Sequence, residues 1–188
     1  MEKNDKRERI LRAALEMFLH RGYDGTAIPP IAKAAGVSVG TIYRYFESKE
    51  SLVNELFQET VNKLSRFIMK DYPAGYTAKE KFYYIFDKLY EFCKENNRAF
   101  LFINDNSYSY YLTKESNNCL TNFFEFIFKD LENFKQQGIV KNLPNNAYIA
   151  LVYAPIEMAI CLQHNNMLDL SEDILLELRE SCWHAVRN

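Results

Sequence analysis

The side chains that could do chemistry crowd into one stretch. Tyr43, Arg44, Tyr45 and Lys49 closely follow an Ala35-Gly36-Val37-Ser38 turn. Hydroxyl, guanidinium and ammonium donors of this kind meet phosphate oxygens and base edges. Elsewhere no nucleophile is paired with a base and no glycine loop is built to cradle a phosphate. Cys161 with His164, and Cys182 with His184, lack the close four-ligand spacing of a zinc module. The chemistry expected is therefore recognition, with no catalytic residue, no metal and no cofactor.

Positioning these groups takes a few helices. Ile10, Leu11, Ala14, Leu15, Phe18 and Leu19 recur at three- and four-residue spacing, which predicts an amphipathic helix over about 5–21. Gly22 can end it in a left-handed conformation. A short second helix, about 29–35, carries Ile31, Ala34 and Ala35. Pro30 is tolerated in its first turn because the N–H groups there have no helical partner. Gly36 makes the turn, Val37 plugs the hinge into the core, and Ser38 caps a third helix over about 39–46. Ile42 and Phe46 face inward on it. Ser48 caps a fourth. This layout is a helix-turn-helix, whose second helix enters the DNA major groove. Base reading then falls to its start: Val39, Gly40 and Thr41. Arg44 either pairs with a guanine edge or serves as a phosphate contact or a solvated arginine.

Gly22-Tyr23, Thr26, Ile31-Ala32, Ala35-Gly36-Val37-Ser38, Gly40-Thr41-Ile42-Tyr43, Tyr45-Phe46 and Ser48-Lys49-Glu50 together resemble the signature of the tetracycline-repressor (TetR) family. The resemblance covers about the first 55 residues. It implies that Thr41, Tyr43, Tyr45 and Lys49 contact operator DNA, chiefly at phosphates. With Thr26, Ser38, Val39, Gly40 and Arg44 they form the expected DNA face. A tyrosine hydroxyl reaches a phosphate at modest entropy cost, and free N–H groups at the start of helix four point to the same backbone. The chain departs from the family at Ala27, Pro29, Pro30 and Val39, where polar or charged residues are common. These changes remove phosphate donors and predict a weakened salt dependence. Val39 could instead touch a thymine methyl.

Charge agrees with that placement. The 188 residues carry a formal net charge of −2. Residues 1–50 hold nine Lys/Arg against seven Asp/Glu, and residues 51–188 fourteen against eighteen. The mildly basic end is the motif end. The charged N-terminus lacks a signal-peptide core, and no apolar run is read as approaching a membrane span. Four scattered cysteines read as small buried hydrophobes in a reducing cytoplasm.

The expected organisation is all-α. A helix-turn-helix DNA-binding domain occupies 1–50, and a helical ligand-binding and dimerisation domain occupies 51–188. In the second domain Thr77 and Glu80 form a capping box. Helices are expected at about 97–106, at 114–137 ended by Gly138, from Asn145 or Asn146 to about 164, and from Ser171 to about 186. Residues 107–112 read as a tyrosine-rich loop or broken helix. Aromatic residues make up 15% of the chain and concentrate between Phe82 and Tyr153. Ordinary core explains most of them, but among the many tyrosine hydroxyls some could be exposed and some could line a cavity holding a small molecule. Candidate ligand-binding residues are Phe86, Tyr90, Phe102, Tyr108, Tyr111, Asn122, Phe124 and Tyr153, with Asn104, Asn118 or Gln163 as further orienting groups. The stretch 147–162 is apolar nearly all round, which predicts burial on every side, and Pro155 predicts a kink. Family resemblance implies a homodimer through the last two long helices. It also implies a repressor released from a palindromic double-stranded DNA operator by a small apolar or aromatic effector, with helix four as the lever. The alternative is a DNA-binding regulator with no such effector, controlled by a protein partner.

Overall fold

In a computed structural model, which describes the backbone of residues 2–73 and 75–188 and the side chains from residue 5 onward among them, the chain is all-helical. The helices are α1 (Glu2–Arg21), α2 (Ile28–Ala35), α3 (Val39–Tyr45), α4 (Lys49–Met69), α5 (Ala78–Glu95), α6 (Asn97–Asn106), α7 (Lys114–Ile127) and α8 (Leu131–Gln136). They continue with α9 (Asn145–Tyr148), a π-helical turn (Ile149–Tyr153), α10 (Ala154–His164) and α11 (Glu172–Val186). Among the described residues the only β pairing is an isolated bridge, Val140 to Arg187.

The chain forms two compact units. Met1–Ser65 and Asn96–Phe123 make the first; Arg66–Glu95 and Phe124–Asn188 make the second. The core of the first draws Ile10, Ala14 and Phe18 from α1, Ile31 from α2, Ile42 from α3, Phe57 from α4 and Phe100 and Phe102 from α6. These are the inward positions that three- and four-residue spacing requires. The family-like glycines also serve as expected: Gly22 and Gly36 have φ of 67° and 65°, the left-handed region that favours glycine.

The second unit has a core of Ala78, Val140, Tyr148, Trp183 and Val186, surrounded by Phe82, Phe128, Leu131 and Phe134. Its α5 starts with the expected capping box. Thr77 N–H donates to Glu80 Oε2 at 2.8 Å and Glu80 N–H to Thr77 Oγ1 at 3.3 Å. Gly138 (φ 69°) and the Ser171 cap also stand as read.

Two expectations fail here, each for a local reason, and the irregularity expected at Pro155 takes a specific form. The helix expected over 114–137 breaks between α7 and α8. There Lys129 N–H bonds the Phe126 carbonyl and Leu131 N–H bonds that of Phe128, so the chain tightens into three-residue turns. Lys81, only 8% exposed, pairs with Asp130 in that break. Neither Asn145 nor Asn146 caps α9; Pro144 takes the cap position, and Asn145 Oδ1 accepts from Lys135 Nζ at 2.7 Å. At Pro155 the helix inserts a π turn, in which Ala154 N–H bonds the Ile149 carbonyl. Proline has no N–H and its ring crowds the carbonyl four residues back, so a widened turn relieves both.

The run Asn145–His164 also corrects the reading that no apolar run approaches a membrane span. Its 20 residues reach a mean hydropathy of 1.2 over an 18-residue window, so by length and composition it could cross a membrane. Only 22% of that window is buried, so within one chain its apolar sides are not covered.

Candidate nucleic-acid interface

The turn between α2 and α3 is fixed by backbone chemistry. Gly36 caps α2 in the left-handed region, with Gly36 N–H on the Lys33 carbonyl and Val37 N–H on that of Ala32. Val37 itself is half-buried. Ser38, in extended conformation, caps α3: its Oγ accepts from Thr41 N–H at 3.1 Å and shares a 2.9 Å bond with Thr41 Oγ1. Ile42 and Phe46 then anchor α3 at 0% and 1% exposure. With the inner face fixed, the outer face follows. Ser38, Gly40, Tyr43 and Arg44 are exposed, and Val39, Thr41 and Tyr45 half-buried. The structure brings these seven residues together on and around one short helix.

Two members of the expected DNA face have other duties. Thr26 is 2% exposed, and its hydroxyl lies 2.7 Å from the Gly22 carbonyl and 3.1 Å from that of Met17. A hydroxyl so placed closes the turn after α1 and has no path to a phosphate. Lys49 Nζ donates to the Tyr23 carbonyl at 2.8 Å and the Thr26 carbonyl at 3.1 Å, and sits 4.0 Å above the Tyr23 ring. Its ammonium ties the start of α4 to the turn before α2. Ser48 Oγ accepts from Ser51 N–H at 3.0 Å at that same helix start.

The departures at α2 are visible as surface. Ala27 and Pro29 are exposed. Pro29 and Pro30, with Met17 and Ala34, line a groove that also holds Arg21 and Lys33. Ala27 offers no side-chain cap, and the prolines in the first turn lose no helical bond.

The candidate ligand residues are divided between the two units. In the first unit Phe102 is wholly buried against Phe18 and Phe57, Tyr108 is 80% exposed, Tyr111 stacks on Tyr23, and Asn122 is exposed. In the second unit Phe86 is wholly buried and Tyr90 half-buried, while Phe124 meets Tyr153 edge-on at 6.1 Å. Asn118 and Gln163 are exposed as well. Several hydroxyls that suggested a cavity are taken by the protein. Tyr84 donates to the Ile68 carbonyl at 3.0 Å, Tyr83 to Glu180, Tyr148 to the Lys141 carbonyl and Tyr111 to Asn106. Burial pushes the Tyr72 hydroxyl up to about 12, with Asp130 adding to it.

An all-helical chain with a Ser-capped helix, anchored by two buried residues behind a glycine turn, is a helix-turn-helix DNA-binding protein. The family described as "Bacterial regulatory proteins, tetR family" matches residues 10–56, and "Tetracyclin repressor-like, C-terminal domain" matches 57–188. The chain belongs to the TetR family of transcription regulators, which are not enzymes. It is 37% identical over 87 residues to the fatty acid metabolism regulator protein of Bacillus subtilis, a match covering 46% of this chain and 45% of that protein. It is 37% identical over 68 residues to the HTH-type transcriptional repressor DhaR of a Mycobacterium species, covering 36% and 34%. The chain thus spans less than half the length of these curated relatives. Among solved structures, a TetR family regulator from Marinobacter aquaeolei has a TM-score of 0.90 at 21% identity, covering 100% of this chain and 98% of its own. The fatty acid degradation regulator of Bacillus halodurans has a TM-score of 0.73 at 19% identity, covering 95% and 94%. At those identities the likeness shows the fold.

Proposed function

We propose that this regulator binds a two-fold operator as a homodimer and represses transcription until a small apolar effector releases it. The Ser38-capped α3, with Ile42 and Phe46 locked inward, carries this reading. It leaves Val39, Gly40, Thr41 and Arg44 to face bases, and Tyr43 and Tyr45 to hold phosphates. The ligand candidates stay with the effector part of the proposal. The names of two relatives refer to fatty acids, which supports an acyl chain as the effector class. The uncovered apolar run Asn145–His164, with Ile174 and Leu176 exposed on α11, supports a dimer surface.

The test begins with duplexes selected by the protein from a random pool. A palindromic consensus, bound as a dimer, is expected. The Val39→Lys variant should then steepen the dependence of log affinity on log salt by about one unit, as one added phosphate contact does. A slope that does not change means α3 does not lie against DNA as proposed. Native mass spectrometry with added long-chain fatty acids and acyl thioesters tests the effector; binding that lowers operator affinity supports it.

A further inference from the structure

The loop at 107–112 sits within the first unit and touches the reading head through tyrosines. Tyr110 is 79% exposed, yet its hydroxyl donates to Asp24 Oδ1 at 2.7 Å. Tyr111 stacks on Tyr23 with centroids 4.0 Å apart and planes at 23°. Tyr110 meets the edges of the same pair, 6.3 Å from Tyr23 and 5.2 Å from Tyr111. Tyr23 is also the ring beneath Lys49, whose ammonium holds the Tyr23 and Thr26 carbonyls. Thr26 immediately precedes Ala27, the residue at the N-terminal cap of α2. The path from loop to α2 is therefore one of direct contacts.

The two ends of this loop are held very differently. Asn54, 3% exposed, donates to the Glu50 and Tyr111 carbonyls at 2.8 Å each, and accepts from Thr113 N–H at 2.8 Å and Ser116 Oγ at 2.7 Å. A buried amide with four bonds does not let go. The Tyr110–Asp24 bond lies in solvent and can be exchanged for water at little cost. Tyr108 holds φ at 69°, a left-handed conformation that is costly for a bulky side chain. One firm end, one weak end and a strained residue beside the weak end describe a latch. The hydrogen bond to Asp24 also pushes the Tyr110 hydroxyl up to about 12, so the donor stays protonated at ordinary pH.

We infer that residues 107–112 latch the reading head, and that release of Tyr110 from Asp24 and Tyr111 from Tyr23 loosens the turn before α2 and lowers operator affinity. The inference rests on the DNA-binding reading above and names its control point. Tyr23, Asp24, Tyr110 and Tyr111 are positioning residues, acting on α2 and α3 through Lys49 and Thr26.

The experiment uses the full chain as wild type, Tyr110→Phe, Asp24→Ala, the double variant, Tyr111→Ala and Tyr111→Phe. Hydrogen exchange over residues 22–45 is measured without DNA, and affinity is measured for the duplex that the wild type selects. Tyr110→Phe and Asp24→Ala should each speed exchange across 22–35 and lower affinity about threefold, the scale of one exposed hydrogen bond. The double variant should do no more than either, since both remove the same bond. Tyr111→Ala should lower affinity about tenfold, and Tyr111→Phe, which keeps the stack, should restore it to within about twofold of wild type. Unchanged exchange and affinity in Tyr110→Phe and Asp24→Ala overturn the latch, as do fully additive losses in the double variant. Both tests survive if Tyr111→Ala fails to fold. Failure of the DNA reading would show in the wild type; failure of the latch shows only in the variants.

Discussion

The two units differ in where they leave aliphatic side chains exposed. In the first, Ile10, Ile31, Ile42, Leu52, Val53 and Phe57 all sit at 0% exposure. In the second, α8 and the π turn contain no buried residue, and Met158 and Met167 stand 57% and 73% exposed. The large exposed apolar side chains of the first unit are tyrosines, whose hydroxyls suit water. The second keeps apolar surface in water, at a cost near 25 cal/mol per Å2, which favours covering it with another surface. The contrast separates a unit whose helices are anchored by fully buried aliphatic residues from one that leaves an apolar helix run largely uncovered within the chain.

The contrast breaks most readily at Phe46. That ring closes α3 at 1% exposure, under the Arg7 guanidinium at 5.6 Å. Phe46→Ala should lower stability by about 3–5 kcal/mol in denaturant unfolding, the usual range for a buried phenylalanine. It should also abolish operator binding, because α3 loses one of its two inward anchors. A loss below about 1 kcal/mol would mean the first unit is no tighter than the second.

That contrast also explains what could be read in advance. In the first unit each residue type has one physical use. Gly36 supplies a left-handed turn, Ser38 a cap and Ile42 an anchor, so spacing alone placed α1 to α4 to within a few residues. The capping box at Thr77 was equally plain, since both partners lie in one local stretch. Thr26 and Lys49 have structural duties that spacing does not report, because a hydroxyl and an ammonium suit a phosphate and a backbone carbonyl alike. Only the fold shows that they bond the carbonyls of Gly22, Tyr23 and Thr26. The break between α7 and α8 was invisible for a similar reason. Lys81 and Asp130 are 49 residues apart, and no periodicity reports such a pair. The tyrosines are the hardest residues to read in a sequence, because the partners that Tyr83, Tyr84, Tyr111 and Tyr148 find within the protein are set by the fold. The signal that could have located the loop contacts was present in part: Gly22-Tyr23 in the motif, and the tyrosine-rich 107–112 after it.

A second way to sharpen the comparison is to charge the open surface. Met158 lies on α10, where Pro155 and the π turn interrupt the regular ladder. If a second copy covers this face, Met158→Arg should weaken the dimer by about 2 kcal/mol, the threshold of an interface hot spot. Sedimentation equilibrium would read that as a roughly thirtyfold rise in the dissociation constant. Unfolding stability extrapolated to the isolated chain should stay within about 0.5 kcal/mol, because an exposed side chain leaves no cavity. Unchanged dimerisation would show that the exposed apolar run serves another partner.

The smallest effect probes whether the open unit is open everywhere. Hydrogen bonds from Thr77 N–H, and then from its hydroxyl, hold the Glu80 carboxyl below its ordinary value of 4.5. A carboxyl depressed on folding adds stability above pH 4.5 and loses it as pH falls through the lower folded value. Glu80→Gln removes that titration. The variant should therefore be slightly less stable than wild type near pH 6, and the gap should close as pH falls below the ordinary carboxyl value and through the lower folded one. Urea unfolding across that range reads it directly. A gap that is constant with pH would mean the capping box is not formed in solution. The start of α5 would then belong with the exposed surface rather than with the elements this chain completes alone.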